Sequence, residues 1–256
     1  MSEVRGSLDG RVAVVLGATG RIGSAVCRAL AAAGAEVLMI DRDAERLDAL
    51  QREPGLGQRV TWVAADPSSQ LEVDEARAVA QERYGGVDLL VVASGVVTGS
   101  AFEDGVPADW AEMIDVNLRG VLHATQAFAD PLLAAARAGR PSDLVLLGAL
   151  GAHPLSPRFA VFNAISAAVR QLARTLRQEY GPRGLRVRAI ELGFVATGFG
   201  HLPTGPGGSR RHFPHASESV PPDAIAALVA ITAALPAEVN VAELAVTPTT
   251  MAAVSQ

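Results

Sequence analysis

The sequence predicts an α/β fold: a doubly wound, mostly parallel sheet of about seven strands with helices on both faces. Three observations predict it. Short β-branched or Leu-rich runs alternate with longer helical stretches. A glycine turn, Gly17-Ala18-Thr19-Gly20-Arg21-Ile22-Gly23, directly follows the first run and leads into a helix. An acidic residue, Asp41, then closes the second run about 20 residues later, the spacing of a dinucleotide-binding βαβ unit.

The runs read as strands span 12–16, 37–40, 60–65, 87–92, 144–147 and 186–190, with a last strand at 242–247 closed by Pro248. The intervening helical stretches span 22–33, 44–50, 71–84, 108–138 and 158–179, with another helix at 223–234. Right-handed crossovers are expected, so that the carboxyl ends of the strands open onto one edge. Residues 200–222 break the rhythm with several Gly and Pro residues and the run Ser209-Arg210-Arg211-His212-Phe213-Pro214-His215, and read as a surface loop or lid. No internal repeat or interdomain linker is visible, so residues 1–256 are expected to form one domain.

Composition narrows the function classes. At 49% hydrophobic and 19% charged, the chain has enough apolar material for a sheet buried on both faces, which argues against disorder. A formal net charge of -5 gives no reason to expect nucleic acid or an anionic membrane as partner. No run approaches the roughly 20 apolar residues of a membrane span, and residues 1–11 lack the pattern of a secretory signal. The lone cysteine, Cys27, lies among Val26, Ala29 and Leu30 and reads as a packed thiol. A cytoplasmic location is expected.

Glycines at the first βα turn allow a tight bend, close approach of backbone to a pyrophosphate, and close packing of helix on strand. The bland alternative is a helix-opening turn with an incidental acid. Together with the strand pattern, these residues resemble the short-chain dehydrogenase/reductase superfamily over nearly the whole chain. The resemblance implies a Rossmann-type domain. The superfamily motif Thr-Gly-x-x-x-Gly-x-Gly is matched at Gly17 and Gly23, while Leu16 replaces the Thr, Arg21 the middle Gly, and Gly20 lies one position earlier. Asp41 is expected to accept hydrogen bonds from the adenosine ribose and repel a 2′-phosphate, which argues for NAD; Arg21 and Arg42 argue for NADP. Arg42 and Asp43 also read as a solvated turn and helix cap.

The resemblance places Asp66, followed by Pro67, beside the adenine. Its Asn-Asn-Ala-Gly becomes Val92-Ala93-Ser94-Gly95, so the edge beside the cofactor is expected to be looser or repacked. Gly193, Val195 and Thr197 match the stretch flanking nicotinamide and phosphate. Thr19 and Ile22 complete the expected cofactor-binding set.

The chemical end departs further. The resemblance implies a Tyr and a Lys four apart on one helix, where Lys lowers the Tyr pKa, with a Ser thirteen residues before the Tyr polarising the same substrate oxygen. Here Phe162 stands at the Tyr position, Ser166 at the Lys position and Ala149 at the Ser position. Asn117 matches the fourth position, where the implied role is to bind a water through a helix kink; a helix-satisfying amide explains it equally well. The only tyrosines are Tyr84 and Tyr180, and the sequence contains no lysine. His153 and Glu191 are the candidate substitutes, each with a structural alternative. Arg210, Arg211, His212 and His215 could grip an anionic group or form a solvated basic loop, and no metal site is expected.

Three functions fit. The first is a cofactor-binding pseudoenzyme or silent subunit of a hetero-oligomer with an active homologue, or a homodimer or tetramer. The second is a non-redox cyclase, isomerase or lyase acting on a small apolar ligand that carries an acidic group. The third is an atypical NAD(P)-dependent oxidoreductase with a substitute proton donor.

Overall fold

β1 (Val12–Leu16) is buried at every position. A strand in the middle of a sheet covered on both faces needs an uninterrupted apolar run rather than alternation. The structure, a computed structural model, describes residues 7–150, 157–196 and 219–250. β1 pairs in parallel with β2 (Glu36–Asp41) on one side and with β4 (Leu89–Val92) on the other. With β3 (Val60–Ala64), β5 (Asp143–Ala149), β6 (Arg186–Leu192) and β7 (Glu243–Val246) the sheet has seven strands in the order β3-β2-β1-β4-β5-β6-β7. All its pairings are parallel. The chain leaves β1 toward β2 and returns at β4, so the connections above these two strands diverge and open a crevice at the carboxyl edge.

Helices α1 (Arg21–Ala32), α2 (Ala44–Gln51) and α7 (Pro222–Ala233) cover one face, burying residues such as Val26, Leu47 and Val229 against Ala13, Val15 and Val91. Helices α3 (Gln70–Tyr84), α5 (Gly120–Arg137) and α6 (Ala160–Tyr180) cover the other, with Val73, Phe128 and Val169 against Val14, Leu38 and Leu90. No helix of the described residues is long and apolar enough to cross a membrane.

Several expected boundaries move for identifiable reasons. The stretch read as one helix over 108–138 is α4 (Pro107–Ile114), a π-helical segment Asp115–Arg119, and α5. The stretch read from 158 starts as a helix only at Ala160, because Arg158 has φ +82, outside the helical region. β5 and β6 run on to Ala149 and Leu192. α7 begins at Pro222, a first-turn position that proline favours, and Val220 forms a parallel bridge with Val195. The last residues of the expected 200–222 loop are therefore structured, and residues 200–218 of it lie outside the described residues.

At the amino edge of β4 to β6, Arg11, Asp88, Asp143, Arg186 and Arg188 are all buried. The Asp143 carboxylate receives Arg11 Nη2 at 2.8 Å and both Nε and Nη2 of Arg186 at 2.8 Å. Arg11 Nε also pairs with Asp88. Arg11 and Arg186 donate to the Ala233 carbonyl at 3.2 and 3.1 Å, and Arg186 Nη1 donates to the carbonyls of Leu235, Pro236 and Val239. The cluster thereby holds the carboxyl end of α7, where cations are favoured. Burial pushes the Asp88 carboxyl above its usual range, with Arg11 pulling it back. Arg188 Nη2 lies 2.7 Å from Asp143 but is not aligned for a hydrogen bond, and burial pulls this guanidinium below its usual range.

Candidate functional site

The glycine turn sits at the carboxyl end of β1, where the sheet order reverses. Gly17 has φ +77, and a Cβ on it would collide with the Ser94 backbone at the end of β4. A Cβ on Gly23 would collide with the Gly17 carbonyl. Two of the three glycines are therefore demanded by the turn's own packing. Gly20 is the N-cap of α1 and supplies no side chain, so the first amides of α1 (Arg21, Ile22, Gly23) carry no side-chain cap. Such amides suit a phosphate.

Asp41 ends β2 beside this turn. Its Oδ2 accepts from the Thr19 amide at 3.0 Å and from Thr19 Oγ1 at 2.7 Å, and its Oδ1 accepts from the Arg42 amide at 2.8 Å. Arg46 Nη2 donates to the Thr19 carbonyl at 2.7 Å, a contact that the sequence did not suggest. Asp43 caps α2 by accepting from the Arg46 amide, as expected of it. Arg21 and Arg42 are exposed. After β3, the Asp66 carboxylate accepts from Ser68 through its amide (2.8 Å) and hydroxyl (2.7 Å), while its own amide donates to Glu72 Oε2 at 2.8 Å. Pro67 packs against the first residue of α5, where a Cβ on Gly120 would lie 3.3 Å from it.

The stretch after β4 is tied rather than loose. The Ala93 amide donates to the Leu16 carbonyl at 2.9 Å. Asn117, within the π-helical segment, accepts from the Val96 amide at 2.8 Å and donates to the Val96 carbonyl at 2.7 Å. Its amide serves the loop backbone rather than its own helix, and the locally widened helix presents it there. Gly95 faces Asn117, and the buried Ser94 hydroxyl has no hydrogen-bond partner among the described residues. That orphaned group and the uncapped α1 amides fit a polar ligand laid across the turn.

On the chemical side, Ala149 ends β5 opposite Leu192. One turn apart on α6, Phe162 packs against the core and Ser166 is buried, its hydroxyl donating to the Phe162 carbonyl at 2.9 Å. That bond spends the serine's only proton on its own helix. Glu191 is also buried; its Oε1 lies 3.5 Å from Arg170 Nε of α6, and burial pushes its carboxyl up against the pull of Arg170.

The loop after β4 is bound to the start of α6 by a 2.9 Å bond from the Ser100 amide to the Arg158 carbonyl. The Phe159 ring lies on Gly99, where a Cβ would come within 2.6 Å of it, and Phe102 stacks on Trp110 at 5.2 Å between centroids. These aromatics leave a crevice of about 10 Å³ that Thr98 and Ser100 also line.

The Gly193 amide donates to the Val246 carbonyl at 2.8 Å, and the Ala196 amide to the Val220 carbonyl at 3.0 Å, fixing the turn after β6 around Val195. His153, Thr197, Arg210, Arg211, His212 and His215 lie outside the described residues. Among the described residues no group of three His, Cys, Asp or Glu side chains is placed to hold a metal.

The profile of the short chain dehydrogenase family matches residues 11–202, and the chain belongs to that family. An uncharacterized oxidoreductase of Staphylococcus aureus (strain USA300) is 30% identical over 94% of this chain and 98% of its own. Among solved structures, an alcohol dehydrogenase from the archaeon Thermococcus sibiricus complexed with 5-hydroxy-NADP is 29% identical, with a TM-score of 0.80 over 94% of this chain and 97% of that one. A 3-ketoacyl-(acyl-carrier-protein) reductase from Brucella melitensis complexed with NADH is 25% identical, also at a TM-score of 0.80, over 94% of this chain and 98% of that one.

Proposed function

We propose that this chain is a dinucleotide-binding member of its family that does not perform ordinary carbonyl or alcohol oxidoreduction, and that it acts as a pseudoenzyme or silent subunit. The observation that carries this reading is on α6: the Ser166 hydroxyl is bonded to the Phe162 carbonyl, and no lysine exists anywhere in the chain. Ala149, Phe162 and Ser166 then hold no group that exchanges a proton with a substrate oxygen.

The amides of Arg21, Ile22 and Gly23 would take the pyrophosphate, and Asp41 the adenosine ribose. Asp66 and Pro67 would border the adenine, and Ala93, Ser94, Gly95, Gly193, Val195 and Thr197 the nicotinamide end. Asp41 favours NAD over its 2′-phosphorylated form, because a fixed carboxylate repels the phosphate. A bound dinucleotide supplies a site for hydride gain or loss. Losing a general acid alone costs roughly 10²- to 10⁴-fold, so retained binding without a donor suits a structural or regulatory use of the cofactor.

An apolar groove of about 400 Å³ on the face of α4 and α6, lined by Ile114, Leu118, Val161 and Ala164, suits a second subunit, either the same chain or an active homologue. The sheet, built from the first strand to the last, supports one domain. Cys27, buried and with its thiol pushed up to about 12 by burial, fits a cytoplasmic chain without disulfides.

Titration with NADH and NADPH, followed by Trp fluorescence and thermal unfolding, tests the binding half. Saturation at 100 times Kd stabilises a protein by about 2.7 kcal/mol, and no response to either cofactor overturns the reading. Turnover of a panel of ketones and alcohols at ordinary dehydrogenase rates overturns the other half. The joint variant Ala149→Ser, Phe162→Tyr and Ser166→Lys is expected to gain weak reductase activity; a folded, cofactor-binding variant with no gain counts against the assigned positions.

A further inference from the structure

Thr19 holds the turn and Asp41 together through all of its polar groups. Its amide and hydroxyl both donate to Asp41 Oδ2, and its carbonyl accepts from Arg46. With the Arg42 amide on Oδ1, three donors fix the plane of the carboxylate. A carboxylate oxygen offers two acceptor positions, so Oδ2 is filled and one position on Oδ1 would be left for a ribose hydroxyl. We infer that Thr19 is the positioning residue through which Asp41 discriminates between the two dinucleotides. Its hydroxyl holds the negative charge in place at the ribose, where it meets a 2′-phosphate as a fixed repulsion.

A carboxylate free to turn toward solvent would relieve that repulsion by rotation. The exposed guanidinium groups of Arg21 and Arg42 would then be left to attract the phosphate. The immobility of Asp41, rather than its presence alone, therefore sets the preference, in the way that supporting hydrogen bonds preorganise other ligand-binding groups. This inference rests on the proposed dinucleotide site.

Thr19→Val removes the hydroxyl donor and keeps the branched shape, and Thr19→Ser keeps the donor. Dissociation constants for NADH and NADPH are measured on the purified chain and both variants, with thermal unfolding confirming that each is folded. The wild-type chain should bind NADH more tightly. In Thr19→Val the ratio of NADPH to NADH constants should fall about tenfold, the scale of one charge-assisted hydrogen bond. Thr19→Ser should restore the wild-type ratio. A ratio unmoved in Thr19→Val, parallel weakening of both cofactors, or a wild-type chain that prefers NADPH overturns the inference while leaving the binding site standing. A wild-type chain that binds neither cofactor overturns the site and the inference with it.

Discussion

At the amino edge of the sheet, Asp143 is wholly buried and gathers Arg11, Arg186 and Arg188 around one carboxylate. At the opposite edge stand Ala149 at the end of β5 and, in the first turns of α6, Phe162 and a serine that bonds its own helix. Among the described residues buried charge ties β1, β4, β5 and β6 to the end of α7, with Glu191 near the carboxyl end of β6 the one exception. The carboxyl edge, where a parallel sheet places its ligands, has polar contacts around the first turn, on Thr19, Asp41 and Arg46. Within that edge the halves also differ: the nucleotide side is pinned by short hydrogen bonds, and the chemical side is filled by rings.

The largest test of this contrast is Asp143→Asn. The substitution keeps shape but leaves three buried guanidinium groups facing a neutral amide, and removing one partner of a buried ion pair costs about 3–5 kcal/mol. Denaturant unfolding should show a loss of that size, with cofactor affinity unchanged in the fraction that folds. A loss below about 1 kcal/mol, the range of exposed pairs, would break the comparison.

A smaller effect, of opposite sign, is expected at the carboxyl edge. Arg158 is the only described non-glycine residue with positive φ, and the Ser100 amide holds its carbonyl in place. Left-handed backbone at such a residue costs on the order of 1–3 kcal/mol. Arg158→Gly should raise stability by about 1 kcal/mol after the entropy cost of glycine is counted, whereas Arg158→Ala should not. A gain from alanine equal to that from glycine would place the effect in the side chain instead of the backbone.

These two residues also mark what the sequence conceals. The glycine turn, the order of elements and the placement of Asp41 are legible because steric demands fall on residue type: Gly17 must bend left-handed and Gly23 must admit the Gly17 carbonyl. Arg158 carries no such signature, since nothing in an arginine foretells φ +82. At Asn117 the resemblance foretells a kink, while its form, a π-helical segment that turns the amide onto the Val96 backbone, appears only in the structure. Arg11, Asp88 and Asp143 sit 77 and 132 positions apart in contact terms, so their pairing appears only once the sheet register aligns Leu89 with Asp143 and Asp143 with Arg186. The Thr19 hydroxyl on Asp41 is hidden for the same reason. Its direction follows from two loops meeting above β1 and β2.

The smallest effect asks whether burial alone separates strong charge clusters from weak ones. On the outer flank, Glu243 of β7 receives Arg174 Nε and Nη2 at 2.9 Å and Arg177 Nη1 at 3.2 Å, the same chemistry as at Asp143 but partly exposed. The Arg174 hydrogen bonds, followed by Arg177 against a modest burial cost, pull the Glu243 carboxyl from 4.5 to about 2. Because the folded value is the lower one, the unfolded chain binds more protons between the two values, and stability falls as pH drops through that window. The cluster's contribution is therefore complete above about pH 4.5 and lost toward pH 2. Glu243→Gln should unfold slightly more easily than the wild type at pH 7, and the difference should narrow as both are titrated from pH 4.5 toward pH 2. It should also shrink in high salt, which screens exposed charges and leaves buried ones nearly untouched. A gap that persists through acid and salt would assign Glu243 a packing role and leave exposure without explanatory power.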